Sequence, residues 1–475
     1  MKNRLFYLIG VASLLCYTST FTSCINGVDD EYLEQQQISG DSGDSENEGE
    51  ELPDLNGDYG QGSDYELKMV CNGEELNGKS ISLAVDENNE TATFILAGAE
   101  TDLETVLAEA IPGGIGGLVS GMGLKFISNS PIPGEKEVTI PNVSLYKNAD
   151  GTSYKFEGES VQPTFTITYR GTIENEKLDI NLDYELTNQK LAGTWKVAPA
   201  SYSTGIMAGQ SYKLAPLWVD WDSNVKVDAG RIVGVIPGSN LAFPVNTYPN
   251  ELIRTVVVAS GAMMGDIIGA QINLEDLIVN MLNSITAKSN GGMYAIYSYS
   301  SDLNNPQWSG VDGMPHNAMR YYYDPENPDE RIYLELNSGF LMDIIKQLAG
   351  VAAPASRSTR ADIRDTAKEL VALLVPLIKD GIPCDYKIED NNLTINIDGI
   401  VLRDILTNLI TIINDPTSTE IVNGVLAGLG NFQKNVESIL KTLPEALKYK
   451  EYDRKTEVGT GECSYVKLGM KFVKE

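Results

Sequence analysis

Three tryptophans and their polar neighbours are the residues of this sequence best suited to bind a ligand. Trp218 and Trp221 lie three residues apart, and Trp308 follows the amides Asn305 and Gln307. Exposed aromatic rings beside amides form platforms on which sugars and other small polar molecules bind. The pattern therefore predicts a ligand site at these five positions. The alternative is that the rings belong to the hydrophobic core, as large aromatic side chains usually do.

The sequence offers little material for catalysis or for holding a metal. His316 is the only histidine, which excludes most Ser-His and Cys-His nucleophiles and most zinc sites, and we interpret it as a surface loop residue. Residues 54–58 carry the first oxygen ligands of a calcium loop, but Tyr59 stands where that loop needs glycine. We predict no metal, no cofactor and no catalytic residue.

Three cysteines lie beyond the N-terminal region. Cys384 and Cys463 each begin a predicted strand in the same half of the chain, which favours a disulfide between them outside the cytoplasm. Cys71 stays unpaired in that scheme. The alternative is that all three are buried thiols that pack as small apolar residues.

The N-terminus has the features of a lipoprotein signal peptide. Lys2 and Arg4 precede the uncharged run 5–17, which is too short to cross about 30 Å of hydrocarbon as a helix. Two small residues then stand directly before Cys24. We predict that residues 1–23 are removed and that Cys24 becomes an acylated N-terminus. The protein would then reach the outer membrane through its lipid anchor alone.

Acidic residues dominate the segment that follows Cys24. Residues 25–58 include twelve Asp or Glu residues and no Lys or Arg, which predicts a disordered tether over residues 24–58. The whole chain has a formal net charge of -30. Because such a charge repels phosphates, nucleic acid is excluded as a partner.

Residues 59–200 show the period of two that is typical of half-buried β-strands. In the clearest example, Leu178, Ile180, Leu182, Tyr184 and Leu186 alternate with acidic residues and an amide. Turn sequences at 86–89, 148–151 and 174–176 separate such strands. About eight short strands predict an antiparallel barrel or sandwich for this domain.

Residues 201–475 mix strands with amphipathic helices. Residues 332–348 and 393–409 repeat one pattern, an alternating strand followed by a helix, with Asn337 and Asp398 as candidate N-caps. Helices are predicted at 274–287, 338–348, 361–379, 401–413, 419–429 and 432–447. Strands are predicted at 217–221, 293–300, 318–324, 331–336, 384–389, 393–397 and 463–473. We expect an α+β domain whose helices pack on a second antiparallel sheet or barrel.

Four short motifs carry a resemblance to a known family. They are NGDY at 56–59, CNGEEL at 71–76, LAGTW at 191–195 and NNPQW at 304–308. With them the chain resembles the calycin-like, or lipocalin-like, β-barrel surface lipoproteins of Bacteroidetes. The resemblance implies a calycin-like barrel over residues 59–200, and it implies no catalytic residue. The acidic cluster 29–31 is similar to the export signal of such lipoproteins, which implies a protein that faces the cell exterior.

These observations predict a mainly β protein, α+β overall, that is anchored at the cell surface and binds a small molecule or a glycan without catalysis. Two alternatives remain open. A hydrolase would need two carboxyl groups about 5 to 10 Å apart in a cleft. In a structural or protein-interaction component, side chains would fill both β domains. Such a protein would also have an exposed apolar patch of roughly several hundred Å².

Overall fold

The computed structural model describes the chain from residue 54 onward, with gaps. The described residues are 54–63, 65–102, 125–149, 151–174, 176–199, 201–202, 214–233, 242–252, 274–298, 300, 305–310, 319–336, 377, 379–414, 433–453, 458–461 and 463–475. The predicted signal peptide, Cys24 and His316 lie outside the described residues. So do the predicted helices at 338–348 and 419–429, and most of the one at 361–379.

A curled nine-stranded sheet, which we name the N-terminal lobe, forms the first part of the fold. Its strands are β1 (Gly57–Gly60), β2 (Glu66–Cys71), β3 (Glu74–Glu75), β4 (Lys79–Val85), β5 (Thr91–Gly98), β8 (Glu137–Lys147), β9 (Ser153–Val161), β10 (Phe165–Glu174) and β11 (Lys177–Leu186), and β6 (Glu100–Asp102) and β7 (Lys125–Ile127) form a separate pair. The order across the sheet is β1-β4-β5-β8-β9-β10-β11-β2-β3. Neighbouring strands are antiparallel except β11 and β2, which run parallel.

A closed eight-stranded antiparallel barrel, which we name the C-terminal barrel, forms the second part. Its strands are β12 (Gly193–Val197), β18 (Leu282–Ala287), β19 (Gly292–Tyr297), β20 (Met319–Tyr323), β21 (Arg331–Leu336), β22 (Ile382–Glu389), β23 (Asn392–Ile397) and β26 (Cys463–Lys474). The barrel closes because β12 pairs with both β18 and β26. The adjoining strand β15 (Leu217–Ser223) also pairs with β26, along the edge that β12 pairs with further on.

Helices and short strand pairs surround the barrel. They are α1 (Leu274–Met281), α2 (Gly399–Asn414), α3 (Gln433–Ala446), β13 (Ser201–Tyr202), β14 (Leu214–Ala215), β16 (Val227–Val233), β17 (Ala242–Thr247), β24 (Tyr449–Asp453) and β25 (Val458–Gly461). Helix α2 packs on β26, and α3 packs on α2 and β16. None of the described helices is long and apolar enough to cross a membrane.

The alternating residues of β11 follow the predicted period. Leu178, Ile180, Leu182 and Tyr184 are buried, and the residues between them are partly or fully exposed. On this side of the sheet Phe94 and Phe156 meet edge to face with ring centroids 4.8 Å apart. Because successive side chains of a strand point to opposite faces, the apolar half of each strand fills the lobe interior.

The barrel interior is also filled with large side chains. Trp195 is fully buried, and its Nε1 donates a hydrogen bond to the carbonyl oxygen of Leu191 at 2.8 Å. Tyr321 and Tyr323 follow on β20 with ring centroids 5.7 Å apart. Rings of this size pack best when the polar atom of each finds a partner, as the Trp195 indole does.

The predicted fold class is confirmed: the protein is mainly β and contains a barrel, the closed one in the second half of the chain. The helices predicted at 401–413 and 432–447 correspond to α2 and α3. Asp398 is the N-cap of α2, since its Oδ1 accepts hydrogen bonds from the backbone N–H groups of Ile400 at 2.9 Å and Val401 at 3.2 Å.

The helix predicted at 274–287 is wrong in its second half. Helix α1 ends at Met281, and β18 follows at once between β12 and β19. Apolar residues of β18 fit either the helix or the strand period, so pairing with two strands decided the outcome.

The lobe boundaries also differ from the predicted ones. Leu55 is fully buried and β1 begins at Gly57, inside the predicted tether, whereas β12 belongs to the barrel.

Candidate functional site

The structure places Trp221 in the core rather than on an exposed platform. It is 7% exposed, and its Nε1 donates a hydrogen bond to the carbonyl oxygen of Ala446 at 3.2 Å. Trp218 lies on β15 opposite Gly469, and its side chain is outside the described part. A ring enclosed between a strand and the end of α3 stabilises the barrel and offers no face to a ligand.

The other predicted ligand residues lie in a different region. Trp308 is half-buried and forms an antiparallel bridge with Ser298, just after β19. Asn305 and Gln307 are exposed, and the Gln307 amide donates to Asn305 Oδ1 at 3.4 Å. Strands β26, β12 and β18 lie between the strand that carries Trp221 and β19. The structure therefore does not bring the five predicted residues together.

A groove of about 480 Å³ lies instead on the N-terminal lobe, and we name it the outer groove. Its lining residues come from β8, β9, β10 and β11; they are Tyr146, Lys155, Phe156, Glu157, Arg170, Gly171, Thr172, Asp179 and Asn181. Most of them occupy the strand positions that face away from the lobe interior. The volume is within the range of about 300 to 1,000 Å³ that is common for small-ligand sites.

Strand register fixes the positions of the charged residues in this groove. Arg170 on β10 is directly opposite Glu157 on β9 and Asn181 on β11. One pair further along, Thr172 is directly opposite Lys155 and Asp179. Residues opposite one another in an antiparallel pair have Cβ atoms about 5 Å apart, so these polar groups form one continuous surface.

The floor of the groove depends on a glycine. A Cβ atom at Gly171 would lie 2.1 Å from the Asp179 backbone oxygen and 2.5 Å from Phe156 Cζ. Only a residue without a side chain fits between these neighbours, so Gly171 lets β10 approach both flanking strands closely. The Phe156 ring fills the space beneath it.

Asp179 has an incomplete set of hydrogen bonds. Its Oδ1 is buried and accepts no hydrogen bond from the described residues. The Nζ atom of Lys177 lies 3.9 Å from that oxygen, beyond hydrogen-bond distance, although 41% of the Asp179 side chain is exposed. The carboxylate therefore keeps capacity to accept a donor at the groove.

A second polar cluster, which we name the interlobe cluster, is buried where the lobe meets the barrel. Arg320 on β20 and Glu335 on β21 form an ion pair with side chains only 4% and 6% exposed. Lys79 on β4 donates from Nζ to the Asn129 backbone oxygen at 2.7 Å, and the Asn129 side chain donates to Glu335 Oε2 at 3.1 Å. The cluster thus joins strands of both parts of the fold.

Electrostatics in the interlobe cluster follow from burial and from the neighbouring charges. Burial lowers the pKa of Lys79 to about 8, and repulsion from Arg320 adds to this shift. Burial alone would raise the pKa of Glu335, but attraction to Arg320 and Lys79 holds it below its usual range. Since every charge here is enclosed and partnered, the cluster is suited to hold the two parts together rather than to receive a ligand.

The predicted disulfide between Cys384 and Cys463 is absent: both side chains are buried thiols, as is that of Cys71. Cys384 on β22 is opposite Ile397 on β23, and Ile397 is opposite Leu468 on β26. Leu468 lies five residues along β26 from Cys463. At about 3.3 Å per residue, that offset alone separates the two cysteines by far more than the roughly 7 Å a disulfide spans. Burial raises the pKa of the Cys71 thiol to about 11.

The described residues contain no group of three His, Cys, Asp or Glu side chains that could hold a metal ion. Comparison with protein-family models, with curated proteins and with solved structures finds no match for the chain. The class of protein is thus defined by its fold alone, a curled sheet joined to a closed eight-stranded barrel.

Sequence reasoning missed the outer groove. Its polar residues appeared only as the hydrated positions between apolar ones, as Asp179 and Asn181 do in β11. A signal existed, because Lys155, Glu157 and Arg170 put both charge signs at outward positions of successive strands. The register that makes them neighbours could not be read from the sequence.

Proposed function

We propose that this protein is a lipid-anchored component of the outer cell surface that binds a small polar molecule or a glycan in the outer groove without catalysing a reaction. The observation that carries the proposal is the groove itself: an open groove of about 480 Å³ on a paired sheet, where charged, amide and hydroxyl side chains lie beside the rings of Tyr146 and Phe156. Antiparallel strands hold such groups in fixed positions, which reduces the ordering cost of binding.

The proposed location depends on the sequence. The basic and uncharged stretches before Cys24, and the acidic segment after it, support acylation of that cysteine and a tether that holds the folded part away from the membrane. The resemblance to calycin-like surface lipoproteins of Bacteroidetes supports the same location. Mass spectrometry of the native protein tests it, because an intact leader or an unmodified Cys24 thiol would contradict the anchor.

The interaction-component alternative has less support among the described residues. Four large hydrophobic side chains are exposed there, and they lie on separate elements: Ile127, Tyr146, Val161 and Tyr248. Isolated apolar residues of this kind are normal on protein surfaces, whereas a docking patch would be continuous. Of these four residues, Tyr146 alone lines the outer groove.

A thermal-shift panel on the purified mature chain tests the binding function. Sugars, amino acids and short peptides are the compounds to screen, with fatty acids as an apolar comparison class. A ligand present at one hundred times its dissociation constant stabilises the folded state by about 2.7 kcal/mol. No shift with any polar compound would contradict the proposal, and conversion of a bound compound to product would contradict its non-catalytic part.

Matched substitutions connect a binding signal to the groove. Glu157 lines it, whereas Glu159 lies two residues further along the same face of β9 and outside it. We expect Glu157→Gln to weaken binding and Glu159→Gln to leave it unchanged. Equal effects of the two substitutions would place the ligand elsewhere.

A further inference from the structure

The outer groove has a charge pattern that is more specific than general polarity. Lys155 and Glu157 have opposite charges and both lie on the outer face of β9. Arg170 is directly opposite Glu157, and Asp179 lies diagonally from Arg170 across β10 and β11. Two cations and two carboxylates therefore line one groove, and their formal charges cancel.

These side chains are not neutralised by each other. Lys155, Glu157 and Arg170 form no ion pair or hydrogen bond through their side chains with any described residue, although Glu157 and Arg170 face each other in register. Elsewhere on the same lobe opposite charges within reach do pair, as Lys177 and Glu66 do at 3.4 Å. Asp179 has Lys177 Nζ at 3.9 Å from its Oδ1, beyond hydrogen-bond distance. The groove thus keeps donors and acceptors of both signs able to bind a ligand.

Complementarity then restricts the ligand. A planar guanidinium such as that of Arg170 binds a carboxylate through two parallel hydrogen bonds, and a carboxylate such as that of Asp179 binds an ammonium group. A purely anionic ligand would meet Glu157 and Asp179 and the field of a chain with net charge -30. A neutral ligand would partly desolvate charges without pairing them, which is costly.

We infer that the ligand of the outer groove is a zwitterion with an ammonium and a carboxylate a few bonds apart, that is, an amino acid or a short peptide. Arg170 binds its carboxylate, and Asp179 with Glu157 binds its ammonium group. Tyr146, 59% exposed, covers an apolar side chain of the ligand. This inference rests on the proposed binding function and narrows its ligand class.

Calorimetry on the full mature chain with four probes tests the ligand class. The probes are the dipeptide glycyl-phenylalanine, its N-acetylated form, its C-terminal amide and a neutral disaccharide. We expect the free dipeptide to bind and each blocked form to bind roughly 10- to 100-fold more weakly, because each loses one charge-assisted contact. Equal affinity for the free and blocked dipeptides would overturn the inference.

Substitutions then assign each contact. Arg170→Gln should lower the affinity for the free dipeptide and leave the amide unaffected, whereas Asp179→Asn should lower it and leave the N-acetylated form unaffected. Asp183→Asn is the matched control, since Asp183 lies four residues beyond Asp179 on the outer face of β11 and outside the groove. Unchanged urea midpoints of these variants would show that folding is not the cause.

The outcomes separate this inference from the proposed function. Binding of the disaccharide alone would overturn the zwitterion and leave the proposed function standing. The inference would also be overturned if the dipeptide binds but its affinity changes equally in three variants, namely Arg170→Gln, Asp179→Asn and the control Asp183→Asn. Absence of binding by all four probes would overturn the zwitterion, and the wider panel would then decide whether the groove binds any other polar molecule.

Discussion

Arg320 and Glu335 are directly opposite each other on neighbouring strands of the barrel, and both side chains point out of it into the N-terminal lobe. Arg320 Nη1 donates to the Pro131 backbone oxygen at 2.6 Å, and Glu335 Oε2 accepts from the Gly134 backbone N–H at 3.2 Å. Both strands of the barrel hairpin β20–β21 thus bind one segment of the lobe, residues 131–134. Removal of either charge would leave the other buried without its partner.

Glu335→Gln should strongly destabilise the protein. The substitution keeps the shape of the side chain but leaves Arg320 enclosed without a counter-charge, and breaking a buried pair in this way costs about 3–5 kcal/mol. Urea denaturation followed by circular dichroism measures the loss. The control is Glu389→Gln, which removes an exposed pair with Lys387 and should cost less than about 1 kcal/mol. Similar losses for both would contradict a special role of the interlobe cluster.

Acid should weaken the folded state partly through Glu335. The pKa of this carboxyl is held below its ordinary value of 4.5, so its ionised form contributes stability that is fully present above that pH. As the pH falls from 4.5 through the lower folded-state pKa, the contribution is lost. Denaturation curves at a series of pH values should therefore show a smaller acid loss in Glu335→Gln than in the wild type. Parallel curves for the two proteins would exclude this residue as a cause.

Raising the pH above 8 should stabilise the folded state through Lys79. Its pKa is lowered from 10.5 to about 8, so the unfolded chain binds more protons than the folded one between these values. Stability from this group therefore rises with pH in that window. The wild type should gain stability relative to Lys79→Met as the pH increases from 8. A constant difference between the two proteins across the window would show that Lys79 does not titrate there.

The thiols should be unreactive in the folded protein and free in the unfolded one. Cys71, Cys384 and Cys463 are buried, and a thiol must become an exposed thiolate to react. Titration with a thiol reagent in urea, without reductant, should count three thiols in the mature chain. One thiol would indicate the Cys384–Cys463 disulfide after all, and four would report an unmodified Cys24.

Gly134→Ala should cost more than Gly151→Ala. Both glycines have left-handed φ values, +80° and +77°, so alanine at either position costs about 1–2 kcal/mol. At Gly134 the new Cβ would also lie 2.5 Å from the Tyr322 ring, which adds about 1–3 kcal/mol for overpacking. The nearest atom at Gly151 is 3.8 Å away. Equal urea midpoints for the two variants would contradict this contact between lobe and barrel.

The outer groove illustrates how far the sequence analysis could go. It identified the strand that carries Asp179 and predicted which of its residues face water. It then assigned ligand binding to tryptophans, because an aromatic ring looks the same in a sequence whether it is exposed or buried. Trp221 lies in the core because β15 pairs with β26 and the indole binds the last residue of α3, Ala446.

The sequence by itself determined the features that depend on near neighbours: the buried faces of strands such as β11, the helices α2 and α3, and Asp398 as an N-cap. Periodicity and capping act over a few residues, so they can be read along the chain. Only the tertiary structure decided barrel closure, the outer groove and the interlobe cluster. Asn129 and Glu335 are 206 positions apart, and the pairing that brings such residues together is chosen by the packing of the whole fold.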